Sequence, residues 1–287
     1  MTLDRRLYAC RPDLADADLE GQVEARRFVE GKPAVIAVPV AGLHNAPSSQ
    51  AGIDTEFLLG DPVRVFEVAK GWAWLQGERD GYVGYVPGSA LSFEPGPKPA
   101  HRVTALRTYL FPEPELKKPP LATLSMGSLV AVAGEEERRG TRYAMLADGT
   151  ALPAVHVAPV WQTETDFVSV AERFLQTPYL WGGTSGFGVD CSGLIQLAMR
   201  MTGHDVLRDT DMQEASVGDV LETGVDYSGL RRGDLVFWKG HVGIVQGPNR
   251  LLHANGHTMT VASEPLDQAV ARIAENEFGN VTGIRRL

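Results

Sequence analysis

Glycine and proline interrupt the chain so often, with 31 Gly and 18 Pro in 287 residues, that hardly any long unbroken helical run is available before residue 160. This punctuation separates three blocks of different texture. The sharpest break is FEPGPKPAHR, Phe93 to Arg102, whose three prolines and one glycine make a stiff linker. A second break falls near Ala158-Pro159-Val160-Trp161, where short alternating runs give way to a helical pattern. The expected organisation is a polar, acidic lead-in over 1–32 with a helix around Gln22 to Val29, then modules over 33–95, 100–160 and 161–287. In the first module AVIAVPV, PVRVFEVA, GWAWLQG and GYVGYVP are short Val- and aromatic-rich strands between glycine turns, the signature of a small all-β barrel. The second repeats that style in GSLVAVAG and ALPAVHVAPV, a duplication of pattern rather than of sequence. Trp72, Trp74, Tyr82 and Tyr85 read as barrel core and rim.

The third module opens with TDFVSVAERFLQ, Thr165 to Gln176, where Phe167, Val170, Ala171, Phe174 and Leu175 recur at helical spacing. A glycine-rich stretch, PYLWGGTSGFGVD, then runs into CSGLIQLAMRM, an apolar helix that Gly203 would close. After a polar interval, GDLVFWKGHVGIVQGPNRLLHANG reads as three antiparallel strands joined by tight turns, the first at Lys239-Gly240.

Composition removes several function classes. Lys and Arg number 27 against 36 Asp and Glu, a net charge of −9, which disfavours nucleic acid as a partner. The longest apolar run, Ala34 to Leu43, contains a proline and is too short for a membrane span. The first twenty residues carry Asp4, Asp13, Asp16 and Asp18 and no apolar core of a signal peptide, so the expected location is cytoplasmic. Two cysteines, Cys10 and Cys191, are too few for a disulfide framework. Neither HExxH nor CxxC occurs, so no metal or other cofactor is expected. His44, His101, His156 and His204 lack a partner motif and read as ordinary polar residues.

One thiol stands out. Cys191 lies where the glycine-rich loop enters a helix, a place where backbone N–H groups and the helix dipole stabilise an anion. Four nearby glycines, with Asp190 and Ser192 on either side, exceed what a buried structural cysteine requires. A nucleophilic thiol also needs a base and a group that orients the base. His241 at the start of one predicted strand and His253 on the next can lie side by side, with Asn255 and His257 as alternative third members. Cys10, in the polar lead-in, has neither base nor glycine loop.

The segments PYLWGGTSGFGVDCSGLIQ, GDLVFWKGHVGIV and LLHANG, in this order, closely resemble the NlpC-type cell-wall cysteine peptidases over about Thr165 to Leu287. The resemblance implies an α+β papain-like fold with Cys191 as nucleophile, His241 as base and His253 as orienting residue. The two preceding modules resemble bacterial SH3-like domains, and the whole arrangement is similar to γ-D-glutamyl-L-diamino acid endopeptidases. That similarity implies hydrolysis of free murein peptides bearing an N-terminal L-alanine, after D-glutamate. It further implies that Asp190, Glu56 and Tyr82, or Tyr85 in its place, hold the substrate ammonium, while Ser192 and Thr210 touch the peptide. The family usually has proline before the Arg of the last motif; here the pair is Leu207-Arg208. A monomer is expected. A papain-like amidase or acyltransferase, and a non-catalytic peptidoglycan-binding protein, are the competing readings.

Overall fold

The computed structural model describes residues 3–94, 96–222, 227 and 229–287, and Pro95 of the predicted linker lies outside them. The chain forms two compact units, residues 1–162 and 163–287. Among the described residues no helix is long and apolar enough to cross a membrane.

The first unit is almost entirely β. Its larger sheet has seven strands in the order Ile53–Leu58, Val40–His44, Val83–Pro87, Trp72–Gly77, Pro62–Ala69, Lys32–Ile36 and Leu91–Ser92. Alternation puts Ile36, Leu43, Val63, Leu75 and Val86 inside, each with no exposed surface. Smaller antiparallel sheets between His101 and Pro159 enclose a second core of Val103, Leu124, Val130, Ala144 and Leu152.

The two cores are joined by backbone. The Leu129 N–H donates to the Leu59 carbonyl at 2.8 Å. Next to it Gly60 adopts φ +82°, and a Cβ there would stand 2.6 Å from the Leu129 oxygen. Only glycine satisfies both the left-handed dihedral and the close approach.

The lead-in folds differently from its sequence pattern. No helix forms between Gln22 and Val29; Gly21 turns at φ +80°, and Phe28–Val29 pairs in parallel with Ala15–Asp16. Pairing of Phe28–Val29 with Ala15–Asp16, and packing of Val29 on the cluster of Ala9, Leu14, Phe66 and Trp74, outweighs whatever helical preference the segment holds. The Arg11 guanidinium lies 4.3 Å from the Trp74 ring centroid, and the same side chain donates to Glu67 at 2.6 Å and the Tyr85 hydroxyl at 3.1 Å.

The second unit packs helices on one antiparallel sheet. Its strands are β1 (Asp219–Val220), β2 (Leu235–Trp238), β3 (His241–Gly247), β4 (Arg250–Asn255), β5 (Thr260–Pro265) and β6 (Val281–Arg286), in the order β1-β6-β2-β3-β4-β5. The helices are α1 (Phe167–Glu172), α2 (Cys191–Met201), α3 (Thr210–Ser216) and α4 (Leu266–Asn276). The α1 helix is shorter than its periodic pattern: at Gln176 the backbone turns to φ +69° and its N–H bonds the Val261 carbonyl, leaving Leu175 exposed rather than in the buried stripe. Every residue of α2 is buried, and Gly203 follows its end at φ +86°.

Gly60→Ala should therefore destabilise the first unit by roughly 1–3 kcal/mol through its dihedral and its clash with Leu129. Urea unfolding followed by tryptophan fluorescence reads this directly.

Candidate active site

Asp190 caps α2, its Oδ1 accepting the Gly193 N–H at 2.7 Å, which fixes Cys191 as the first residue of the helix. The glycine-rich loop folds back onto this cap: Gly182 donates its N–H to Asp190 Oδ2 at 2.9 Å. A Cβ on Gly193 would lie 2.2 Å from the Gly183 oxygen, so the loop and the helix start touch only because residue 193 has no side chain.

A residue without an assigned role in the sequence reading completes this corner. Arg208, 1% exposed, donates to Asp190 Oδ2 at 2.6 Å and to Ser192 Oγ at 2.7 Å. Gln213, wholly buried on α3, donates to the carbonyls of Ser192 at 3.0 Å and Leu207 at 2.9 Å. Thr210 opens α3 beside this network. Ser192 and Asp190 thus have several of their polar atoms engaged by the protein itself.

Cys191 is 7% exposed and meets β3. Burial first, and the charge of Asp190 second, push its thiol up to about 12. The Val242 N–H, the Arg208 charge and the Ser192 N–H act in the opposite direction. In this resting environment the sulfur carries its proton and depends on a neighbouring base to lose it. Tyr179, half-buried, feels the charges of Cys191 and Asp190, and burial above all keeps its hydroxyl protonated and able to donate.

Val242 follows His241, so the strand that approaches the sulfur also carries the imidazole. His241 Nε2 and His253 Nδ1 are 2.7 Å apart on the neighbouring strands β3 and β4, where Ile244 pairs with Leu252. His241 is 2% exposed, stacked on Phe278 with an interplanar angle of 5° and tilted against Trp238. Burial first, then repulsion from any proton gained by His253 and from the Arg272 guanidinium, lowers His241 well below the ordinary imidazole range and holds it neutral. His253 Nε2 lies 2.7 Å from Glu264 Oε1, a contact the sequence reading missed. Asn255, proposed as an alternative third member, instead accepts from the Thr258 N–H at 2.8 Å, and His257 is exposed.

The other residues singled out in the sequence lie in the first unit. Glu56 is half-buried on the strand Ile53–Leu58, and Tyr82 is 4% exposed immediately before Val83–Pro87. The Tyr85 hydroxyl accepts from Arg11. Among the described residues no group of three or more His, Cys, Asp and Glu side chains is arranged to hold a metal ion.

Comparison with known proteins bears on the domains rather than on the individual residues. Residues 176–273 match the NlpC/P60 family, and residues 43–91 match the bacterial dipeptidyl-peptidase Sh3 domain. The chain is 26% identical over 273 residues to dipeptidyl-peptidase 6 of Lysinibacillus sphaericus, covering 88% of this chain and 99% of that protein. It is 38% identical over 109 residues to gamma-D-glutamyl-L-lysine dipeptidyl-peptidase of Bacillus subtilis, covering 35% of each. The crystal structure of an NlpC/P60 family protein from Bacillus cereus is similar in fold, with a TM-score of 0.72 at 22% identity, covering 88% of this chain and 99% of that one. The chain carries an SH3-like domain followed by a domain of the NlpC/P60 peptidase family.

Two outcomes follow from the burial of these groups. Arg208→Met strands the Asp190 carboxylate, so it should cost about 3–5 kcal/mol in urea unfolding and slow alkylation of Cys191 by iodoacetamide. His241 binds a proton less readily folded than unfolded, so its contribution to stability is complete above the ordinary imidazole value of 6.5 and is lost as pH falls below it. The unfolding midpoint of the wild type should drop on acidification from pH 7 to 5 more steeply than that of His241→Gln.

Proposed function

We propose that this protein is a cysteine peptidase that cleaves the γ-D-glutamyl–diamino acid bond of free murein peptides bearing an N-terminal L-alanine, releasing L-Ala-D-Glu. The observation that carries the catalytic part is the placement of Cys191 at the start of α2 against the strand bearing His241, whose far nitrogen is bonded to His253. The substrate part is supported by the names of the relatives, which are dipeptidyl-peptidases. A helix whose first residue is the nucleophile, packed on a sheet that carries the base, is also the ground for reading the second unit as papain-like. The β module between His101 and Pro159 is read as a second, divergent SH3-like domain on the likeness of its short strands to the first.

In this mechanism the lone pair of His241 takes the Cys191 proton, and the sulfur attacks the γ-carbonyl carbon of D-glutamate. The carbonyl oxygen becomes an oxyanion that backbone N–H groups near Cys191 stabilise. Its collapse breaks the C–N bond, and the proton held by His241 passes to the leaving amine. Water, deprotonated by the same imidazole, then hydrolyses the thioester and restores the thiol. His253 keeps the imidazole oriented through both halves.

Specificity for a free N-terminus requires negative charge near the substrate ammonium. Asp190 already receives two backbone N–H groups and Arg208, so it supplies only part of that charge. Glu56 and Tyr82 are assigned to the same task by their sequence motifs, with Ser192 and Thr210 along the peptide. The reaction belongs to recycling of wall peptides, with the cytoplasm as its compartment and a monomer as its working form.

Mass spectrometry of products from synthetic L-Ala-γ-D-Glu-diaminopimelate and its lysine counterpart tests this reading. Wild type should release L-Ala-D-Glu, Cys191→Ala should not, and N-acetylation of the alanine should lower kcat/KM by about 100-fold, through loss of the charge-assisted hydrogen bonds that the ammonium makes. Equal turnover by Cys191→Ala overturns the mechanism. Indifference to the acetyl group overturns the specificity and leaves a broader amidase.

A further inference from the structure

The hydrogen-bond chain behind the nucleophile continues past His253. Glu264 Oε1 lies 2.7 Å from His253 Nε2, and Arg272 Nη2 lies 2.5 Å from the same oxygen. Arg272 is itself shared with Glu277. The pairing of β4 with β5 sets this up, since His253 is opposite Ala262 and Glu264 follows two residues later on the same face. Arg272 reaches in from α4, which packs on both strands. His253 is 1% exposed, while the Glu264 and Arg272 side chains are 21% and 17% exposed.

The proton positions follow from donor and acceptor rules. A carboxylate only accepts, so the proton on His253 resides at Nε2. The Nδ1 of a neutral His253 is then a lone pair and receives Nε2–H from His241. A neutral His241 is left with its lone pair on Nδ1, the nitrogen not engaged by His253, which is the form a general base requires. A second proton on His253 would reverse this order. Its Nδ1–H would claim the His241 Nε2 lone pair, placing the His241 proton on Nδ1 and extinguishing the base.

Two opposite demands therefore meet at His253: enough negative charge to hold its proton at Nε2, and too little to turn it into an imidazolium. We propose that Glu264 and Arg272 form a charge-balanced positioning pair that holds His253, and through it His241, in the tautomer needed for proton abstraction from Cys191. The carboxylate supplies the acceptor and the guanidinium offsets its charge. This assignment rests on the reading of Cys191 and His241 as nucleophile and base. The charged and titratable groups around the dyad are Cys191 and the Asp190–Arg208 pair from the α2 side, His241 on β3, His253 on β4, Glu264 on β5, and Arg272 with Glu277 at α4 and just beyond it.

The test combines pH-dependent kinetics on L-Ala-γ-D-Glu-diaminopimelate with 15N NMR of the histidine rings in the full-length protein. Arg272→Met removes the offset, so the acid limb of kcat/KM should move to higher pH by about one unit or less. Glu264→Gln keeps an acceptor but removes the charge, so that limb should move the other way with little loss at neutral pH. Glu264→Ala removes the acceptor and should lower kcat roughly 10–100-fold with KM nearly unchanged, because the wrong tautomer disables the base. The NMR spectrum should show His253 protonated at Nε2 in wild type and Glu264→Gln, and lose that preference in Glu264→Ala. A purely structural ion pair would instead give losses that track the fall in melting temperature, with the acid limb unmoved in all three variants, and this outcome overturns the proposal. So does an unchanged His253 tautomer in Glu264→Ala. His241→Ala is the separate control: full activity there sinks the catalytic reading itself, while the NMR result still reports on Glu264 and Arg272 independently.

Discussion

A single carboxylate holds three distant stretches of sequence together at the site. Asp190 is 8% exposed, yet it accepts N–H groups from the glycine loop and from the first turn of α2, and it pairs with Arg208 from the segment before α3. A buried ion is tolerated only when its partners are complete. Each of these donors is thereby fixed, and Cys191, adjacent in sequence, is fixed with them. The arrangement works against the chemistry, because the same negative charge makes the thiol harder to ionise. Arg208 offsets part of that effect, and backbone N–H groups of Val242 and Ser192 offset more. Position is secured at a cost in acidity, which the proposed mechanism meets by assigning removal of the proton to the neutral imidazole of His241.

The parts of the site that were readable from sequence are those set by local geometry. A glycine run entering a helix marks Cys191, and a two-residue turn between strands explains why His241 could be expected near His253. Glu264 left no comparable trace, since its place depends on the register of β5 against β4, and Arg272 depends on how α4 lies across those strands. Arg208 looks like any loop arginine until its neighbours are known. The predicted helix at Gln22 to Val29 failed for a related reason: the segment's apolar residues are committed to pairing with Ala15–Asp16 and to covering Trp74, contacts that local periodicity does not encode. The barrel strands were more legible because alternation and glycine turns are properties of neighbouring residues.

The residues to which the proposed mechanism gives a part, Cys191, His241 and His253, with Arg208, Glu264 and Arg272 behind them, all belong to residues 163–287. In that mechanism every residue of the proton path comes from one unit. Within the first unit Arg11 donates to the hydroxyl of Tyr85 while sitting over Trp74.

The Phe278 ring lies parallel to His241 at 5.2 Å between centroids, with Trp238 inclined on the imidazole as well. A ring sandwiched in this way has no room to rotate about its own axis without parting its neighbours, which close packing resists. The two nitrogens therefore cannot exchange places during a catalytic cycle. In the proposed mechanism the nitrogen that receives the proton from sulfur is then also the one that surrenders it, so acylation and deacylation share one trajectory with no side chain reoriented between them.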